Sequence, residues 1–158
     1  MVITYSNLQR LKKTRTVYTA GSFDLFHKGH VDYLRKLRES FPKHKIVVGI
    51  LPDKRVAAKK GPERPIIGQR ERLAVVDSIR YVDYAFICPS LKGGQNSTFA
   101  VLGRLRPNII VYPEKKYLGL AHAIDAAGSK LVIQSRVGKT STSRILKRIE
   151  QRLIAVIR

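Results

Sequence analysis

The sequence predicts an α/β fold: a Rossmann-like, doubly wound parallel sheet of about five strands with helices on both faces. Three observations predict it. Short apolar, β-branched runs alternate with helix-periodic segments along the chain. The run Lys45-Ile46-Val47-Val48-Gly49-Ile50-Leu51 is continuously apolar after its first residue, as strands buried on both faces are. The first strand passes through a glycine straight into a helix, at the kind of turn where open α/β sheets bind ligands. A chain of 158 residues, 44% hydrophobic, suits one domain with a real core.

Each element follows from its residues. Residues 1–15 form a basic lead-in with a few apolar residues (Val2, Ile3, Leu8, Leu11). It reads as a surface helix, an arm against a partner subunit or a disordered segment, and it is too poor in arginine for a transit peptide. Residues 16–158 make up the single domain. Thr16-Val17-Tyr18-Thr19 is the first strand. Val31, Leu34, Leu37 and Phe41 then recur at helical spacing. Residues 45–51 form the second strand, ended by Pro52-Asp53. Residues 56–68 are rich in Lys, Pro and Gly, and predict a loop leaving the carboxyl end of that strand. In residues 69–79, Leu73, Val76 and Ile79 line one helix face. Arg70 and Arg72 lie in its first turn, where a cation opposes the helix dipole unless an anion offsets it. Residues 84–88 are a third strand and residues 89–97, with Gly93-Gly94, a loop. Phe99, Leu102 and Leu105 mark a helix ending near Arg106-Pro107. Residues 108–112 are a fourth strand. Residues 121–127 are helical with Gly128 as the cap, and residues 131–134 are a fifth strand. A terminal helix opens at Ser141-Thr142-Ser143 and carries Ile145, Ile149 and Leu153.

The charge is far from balanced: 31 Lys+Arg against 11 Asp+Glu, a net +20. Such a field attracts polyanions, whether nucleotides, phosphorylated substrates, nucleic acid or anionic lipid. The basic residues are spread along the chain, and no aromatic-interleaved basic motif of the RNA-binding kind is present. Nucleic acid is therefore possible but not favoured. No apolar run reaches the roughly 18 residues that span a bilayer. The N-terminus lacks the apolar core of a secretory signal. The single cysteine, Cys88, excludes an internal disulfide and fits a reducing cytoplasm as a buried structural thiol.

The chemistry concentrates in Gly21-Ser22-Phe23-Asp24-Leu25-Phe26-His27-Lys28-Gly29-His30. Gly21 frees the turn in φ and lets the backbone approach a bound group. His27 and His30, three residues apart, share a face of the first helical turn. That turn offers unpaired N–H groups and the positive end of a helix dipole. Two imidazoles beside those donors suit a phosphate whose negative charge grows during reaction. Lys59 and Lys60 are either solvated surface or phosphate ligands. Ser141, Thr142 and Ser143 either cap the last helix or bind an anion at its start. Gly138-Lys139-Thr140 is not a P-loop, because the first glycine of that motif would fall at Ile133. His44 and His122 have no such context and read as surface residues.

The stretch Gly21 through His30 resembles the G-x-F-D-x-x-H-x-G-H signature of the cytidylyltransferase-like nucleotidyltransferases. Glycerol-3-phosphate cytidylyltransferase, the adenylyltransferase domain of the bifunctional heptose-phosphate enzyme and archaeal FAD synthetase share it. The resemblance covers nearly the whole chain after residue 15. It implies a nucleotidyltransferase and a homodimer. The enzyme moves a nucleoside monophosphate from an NTP to a phosphorylated small molecule such as glycerol 3-phosphate and releases pyrophosphate. CTP is favoured by the spacing of Arg136 before Ser141 and by Ile79-Arg80-Tyr81-Val82-Asp83. The Lys60-Gly61-Pro62 segment leans toward ATP, with a sugar phosphate or FMN as acceptor. A non-catalytic nucleic-acid-binding protein on the same fold is the alternative from another class.

By the same resemblance, His27, His30, Lys60 and Arg136 are the catalytic groups. Gly21, Ser22, Phe23, Gly29, Tyr112, Ser141, Thr142 and Ser143 join the histidines around the nucleotide. Asp24, Lys59, Lys60 and Arg72 attend the acceptor. Arg72 is otherwise a plain salt-bridge partner of Glu71 or Asp77. Mg²⁺ is the implied cofactor, bridging phosphate oxygens. Asp24 either contributes to the metal or caps its own turn. The family usually carries a K-G-x-D segment after the fourth strand, and here that place reads Tyr112-Pro113-Glu114-Lys115-Lys116.

Overall fold

The structure, a computed structural model, describes residues 1–90, 97–135 and 138–157. Five strands, β1 (Thr16–Gly21), β2 (Lys45–Ile50), β3 (Tyr84–Ile87), β4 (Ile109–Tyr112) and β5 (Lys130–Ile133), form one parallel sheet in the order β3-β2-β1-β4-β5. Among the described residues six α-helices connect and cover them: α1 (Lys28–Ser40), α2 (Asp53–Lys60), α3 (Gln69–Asp77), α4 (Ser97–Leu105), α5 (Ala121–Ala126) and α6 (Thr142–Ile157). The Gly93-Gly94 segment lies outside the described residues.

Alternation within each strand builds two cores. Tyr18, Val47, Phe86, Ile110 and Tyr112 point to one face and meet Val101, Leu102 and Leu105 of α4 and Ile124 of α5. Val17, Ile46, Val48, Ile50, Ala85 and Val111 point to the other and meet Tyr33, Leu34 and Leu37 of α1 and Val76 of α3. Gly49 is needed where the sheet is tightest, because a Cβ there would sit 2.5 Å from Cys88 Sγ and 2.9 Å from the Tyr18 hydroxyl. Cys88 is buried beside that hydroxyl, and burial pushes its thiol up to about 11.

Four expectations change. The basic lead-in is folded: Val2 bridges Ala85, and a 3₁₀-helix, Tyr5–Leu11, buries Leu8 and Leu11 in the core under α4. The Tyr5 hydroxyl donates to Ala100 O at 3.0 Å. The segment expected as a loop is helical through Lys60, because Pro52 and Asp53 start α2 and Val56 anchors it. Phe99 points outward, 47% exposed, while Thr98, Val101, Leu102 and Leu105 form the inward face of α4. On α6 the expected face is not buried either, with Ile149 48% and Leu153 58% exposed. Among the described residues no helix is long and apolar enough to cross a membrane.

Two buried charges tie the loops at the carboxyl edge of the sheet. Arg72, 1% exposed, donates to the carbonyls of Ser22, Leu51 and Ile67, and pairs with Asp53 at 2.6 Å. It pairs with neither Glu71 nor Asp77. Asp24 is fully buried. Its Oδ2 accepts from Arg64 Nε at 2.8 Å, and its Oδ1 from the amides of Ile66 and Ile67 at 3.1 and 3.0 Å. Burial alone would raise its pKa, but those amides and the guanidinium outweigh it and hold the carboxyl below its ordinary value.

Leu8→Ala should cost about 2–5 kcal/mol of unfolding free energy by urea titration, because it empties a core position. Asp24 binds its proton less readily in the folded chain, so its stabilisation is present above the unfolded pKa. It is lost as pH falls through the lower folded value. Stability should therefore fall below about pH 4 in the wild type, with a shallower slope in Asp24→Asn.

Candidate active site

The sheet order reverses between β1 and β4, and a cleft of about 450 Å³ opens there above the carboxyl ends of the strands. Its floor is Ala20, Gly21 and Leu51, and its walls come from α1, α2, α6 and the segment after β4.

The histidine wall is built by the backbone. His27 is extended (φ −141°, ψ 171°) and caps α1. Its Nδ1 accepts from the Gly29 amide at 3.1 Å, and His30 Nδ1 accepts from the His27 amide at 3.4 Å, a reciprocal capping box made by two imidazoles. With both Nδ1 atoms accepting, the neutral rings carry their protons on Nε2. The rings stack with centroids 3.9 Å apart, and Phe23 and Phe26 flank His30 at 5.2 and 5.3 Å. Gly29 permits this approach: a Cβ would lie 3.0 Å from the His27 ring and 3.2 Å from the Thr140 carbonyl oxygen. The left-handed residues of the turn are not Gly21 but Phe23 (φ 50°) and Leu25 (φ 43°).

That contact between Gly29 and Thr140 also brings two helix starts together. Thr142, the first residue of α6, donates from Oγ1 to the Asp24 carbonyl at 2.7 Å. Ser141 Oγ accepts from the Arg144 amide at 3.3 Å as a cap. The N-termini of α1 and α6 therefore open on the same cleft, with Thr140, Ser141, Thr142 and Ser143 in its lining.

The opposite wall is basic. Lys59 and Lys60 close α2 and line the cleft, and Lys60 Nζ donates to Ser22 Oγ at 3.2 Å. Partial burial pulls the Lys59 pKa below its ordinary value, with Arg55 and Lys116 adding to the effect and Glu114 opposing it. Glu114 and Lys116 pair at 2.5 Å on the segment after β4.

The structure brings Gly21, Ser22, Phe23, His27, Gly29, His30, Lys59, Lys60, Ser141, Thr142 and Ser143 together around one cleft. It does not place Tyr112, Asp24 or Arg72 in its lining. Tyr112 is 4% exposed, its hydroxyl bonded to Thr98 and its phenol pushed up by burial. Its ring instead backs Tyr117, stacked at 4.2 Å, and it is Tyr117 that reaches the cleft. Asp24 and Arg72 are spent on the backbone around the cleft. Arg136 lies outside the described residues. Among the described residues no three His, Cys, Asp or Glu side chains gather as a metal site. The buried Asp24 carboxylate, filled by Arg64 and two amides, does not fit a metal ligand. Tyr117, Lys116 and Thr140 escaped the sequence reading. Only the departing segment after β4, which holds Lys116 and ends beside Tyr117, pointed toward the first two.

A profile of the cytidylyltransferase-like family matches residues 18–148. The chain is 32% identical over 144 residues to the bifunctional protein HldE of Paramagnetospirillum magneticum, covering 89% of this chain and 28% of that protein. It is 31% identical over 139 residues to HldE of Methylobacillus flagellatus, covering 85% and 27%. It thus spans less than a third of the length of these relatives. Among solved structures it is similar to a lipopolysaccharide core biosynthesis protein from Thermoplasma volcanium. That match has a TM-score of 0.62 and 26% identity, over 79% of this chain and 99% of the other. A pantoate-β-alanine ligase from Francisella tularensis shares the fold at a TM-score of 0.63 and 12% identity, over 88% of this chain and 68% of that one. With the histidine signature, the reversal cleft and these likenesses together, the chain belongs to the cytidylyltransferase-like family of nucleotidyltransferases.

Proposed function

We propose that this nucleotidyltransferase moves an adenylyl group from ATP to a phosphorylated sugar, with release of pyrophosphate. The observation that carries the reading is the convergence of two helix N-termini and two Nε2-protonated imidazoles on one cleft with a lysine wall. Every donor in that set is suited to phosphate oxygens.

In the proposed reaction an oxygen of the acceptor phosphate attacks the α-phosphorus in line. The bond to the bridging α–β oxygen breaks, and pyrophosphate leaves with the electron pair. A phosphate monoester is already anionic near neutral pH, so little proton chemistry is needed. The protein contributes positioning and charge stabilisation. His27 and His30 donate from Nε2 to the α-phosphate and the bridging oxygen. The α1 and α6 termini, Ser141 and Ser143 hold the remaining phosphates. Lys59 and Lys60 hold the acceptor, and Lys60 also steadies the charge that develops. Tyr117 offers a face for the base. Arg136 joins the phosphate clamp in this reading. Mg²⁺, when bound, would offset the charge of the phosphates; the Asp24 carboxylate, filled by Arg64 and two amides, does not fit it, so the metal would be held by the nucleotide rather than by that side chain.

Two supports favour adenylyl over the CTP expectation. The similar lipopolysaccharide core biosynthesis protein is named for the synthesis of a saccharide, and the likeness to HldE is in keeping with the heptose-phosphate resemblance. The Val82-Asp83 feature that leaned toward CTP is engaged elsewhere. Asp83 pairs with Arg38 and Lys45 and accepts from the Ile46 amide at 2.8 Å, at the amino ends of β2 and β3, away from the cleft. The homodimer belongs to the same proposal.

A pyrophosphate-release screen of ATP and CTP against phosphorylated sugars, alcohols and FMN should give the highest kcat/KM with ATP and a sugar phosphate. A preference for CTP would reverse the donor. No release with any pair, joined to tight salt-sensitive binding of RNA or DNA, would make this a nucleic-acid-binding protein instead. His27→Ala and His30→Ala should each lower kcat about 100- to 1,000-fold with an unchanged circular dichroism spectrum. Sedimentation should return twice the mass of one chain.

A further inference from the structure

The turn that presents the histidines is held in a shape its own residues disfavour. Asp24 stands between Phe23 and Leu25, both bulky and both left-handed at φ 50° and 43°. Such residues persist in that region only where the surroundings over-determine them. Two residues after Leu25 comes His27, whose extended backbone and Nδ1 contact set the imidazole pair. Whatever fixes Asp24 therefore fixes the rings.

The Thr142 hydroxyl holds the Asp24 carbonyl, and the carboxylate is fixed from one distant segment. Arg64, 9% exposed, meets Asp24 Oδ2 through both Nε at 2.8 Å and Nη2 at 2.6 Å. The next residues but one, Ile66 and Ile67, give their amides to the same carboxylate. The only charge on that segment facing Asp24 is the guanidinium of Arg64. A fully buried carboxylate without it would be expensive, and the turn would relax toward water. Arg64 is absent from the lining of the cleft, so it acts through another residue.

We propose that Arg64 is a positioning residue for nucleotidyl transfer. By clamping Asp24 it forces the left-handed turn that orients His27 and His30. This inference rests on the reading of the histidines given above.

Arg64→Met keeps the length of the side chain and removes the charge; Arg64→Lys keeps the charge but not the two-nitrogen contact. Turnover should fall about a hundredfold in Arg64→Met, the cost of a small misplacement at a reacting centre. It should fall about tenfold in Arg64→Lys, and KM for the NTP should stay within about threefold in both. Nitrogen NMR of the imidazoles should show one tautomer, protonated on Nε2, for both rings in the wild type and averaged tautomers in the variants. Adding Asp24→Asn to Arg64→Met should cost less than about threefold more, since the two act as one unit. A folded Arg64→Met with wild-type turnover and ring spectrum overturns the proposal. So does a rise in KM alone, or a double variant whose losses multiply. Where Arg64→Met does not fold, wild-type turnover in Arg64→Lys overturns it. A wild type without turnover sinks the functional reading, and the ring spectra then still decide whether Arg64 positions the histidines.

Discussion

One buried carboxylate holds the working end of the molecule together. Asp24 takes a guanidinium and two amides from residues 64–67 through its side chain, and the Thr142 hydroxyl through its carbonyl. Three stretches far apart in sequence thereby meet at one residue: the histidine turn, the segment before α3 and the start of α6. A charge so deeply buried is tolerable only when every lone pair is used, and here each carboxylate oxygen has its donors. Arg72 repeats the arrangement with opposite sign, gathering carbonyls from the ends of β1 and β2 and from the loop before α3.

These ties permit an arrangement that is otherwise unfavourable. Two helix N-termini, each carrying partial positive charge, face the same cleft beside three lysines in a chain of net charge +20. Like charges brought together raise the energy of the site, and under the proposed function a bound polyphosphate would relieve it. The electrostatic cost is met by the rigid sheet and its buried ion pairs, so in the proposed reaction the donors would not need to reorganise around the anion. The same logic accounts for imidazoles as caps. A Ser or Asp at the start of α1 would cap equally well, but it would not leave an aromatic N–H donor on the far side of the ring.

The sequence was most legible where a pattern repeats. Strand alternation and helical spacing foretold the five parallel strands, and the G-x-F-D-x-x-H-x-G-H spacing foretold a cleft lined by His27 and His30. It was least legible where one side chain decides a local matter. The lead-in looks like a basic surface segment, yet Leu8 and Leu11 are enough to fold it onto α4. Tyr112 has the right place for a ligand contact, yet strand alternation turns it inward and leaves Tyr117 to stand in the cleft. Arg72 and Asp24 carry charges that usually face solvent or substrate, and their burial depends on partners 19 and 40 residues away.

The sequence alone determined the fold class, the order of the strands along the chain and a set of candidate site residues, because periodicity and motif spacing are local properties. Tertiary structure decided which of those residues share a cleft and which disappear beneath it. It decided too that Phe23 and Leu25, not a glycine, take the left-handed turn. These outcomes follow from contacts between segments tens of residues apart, where burial and ion pairing outweigh the preference of any single residue.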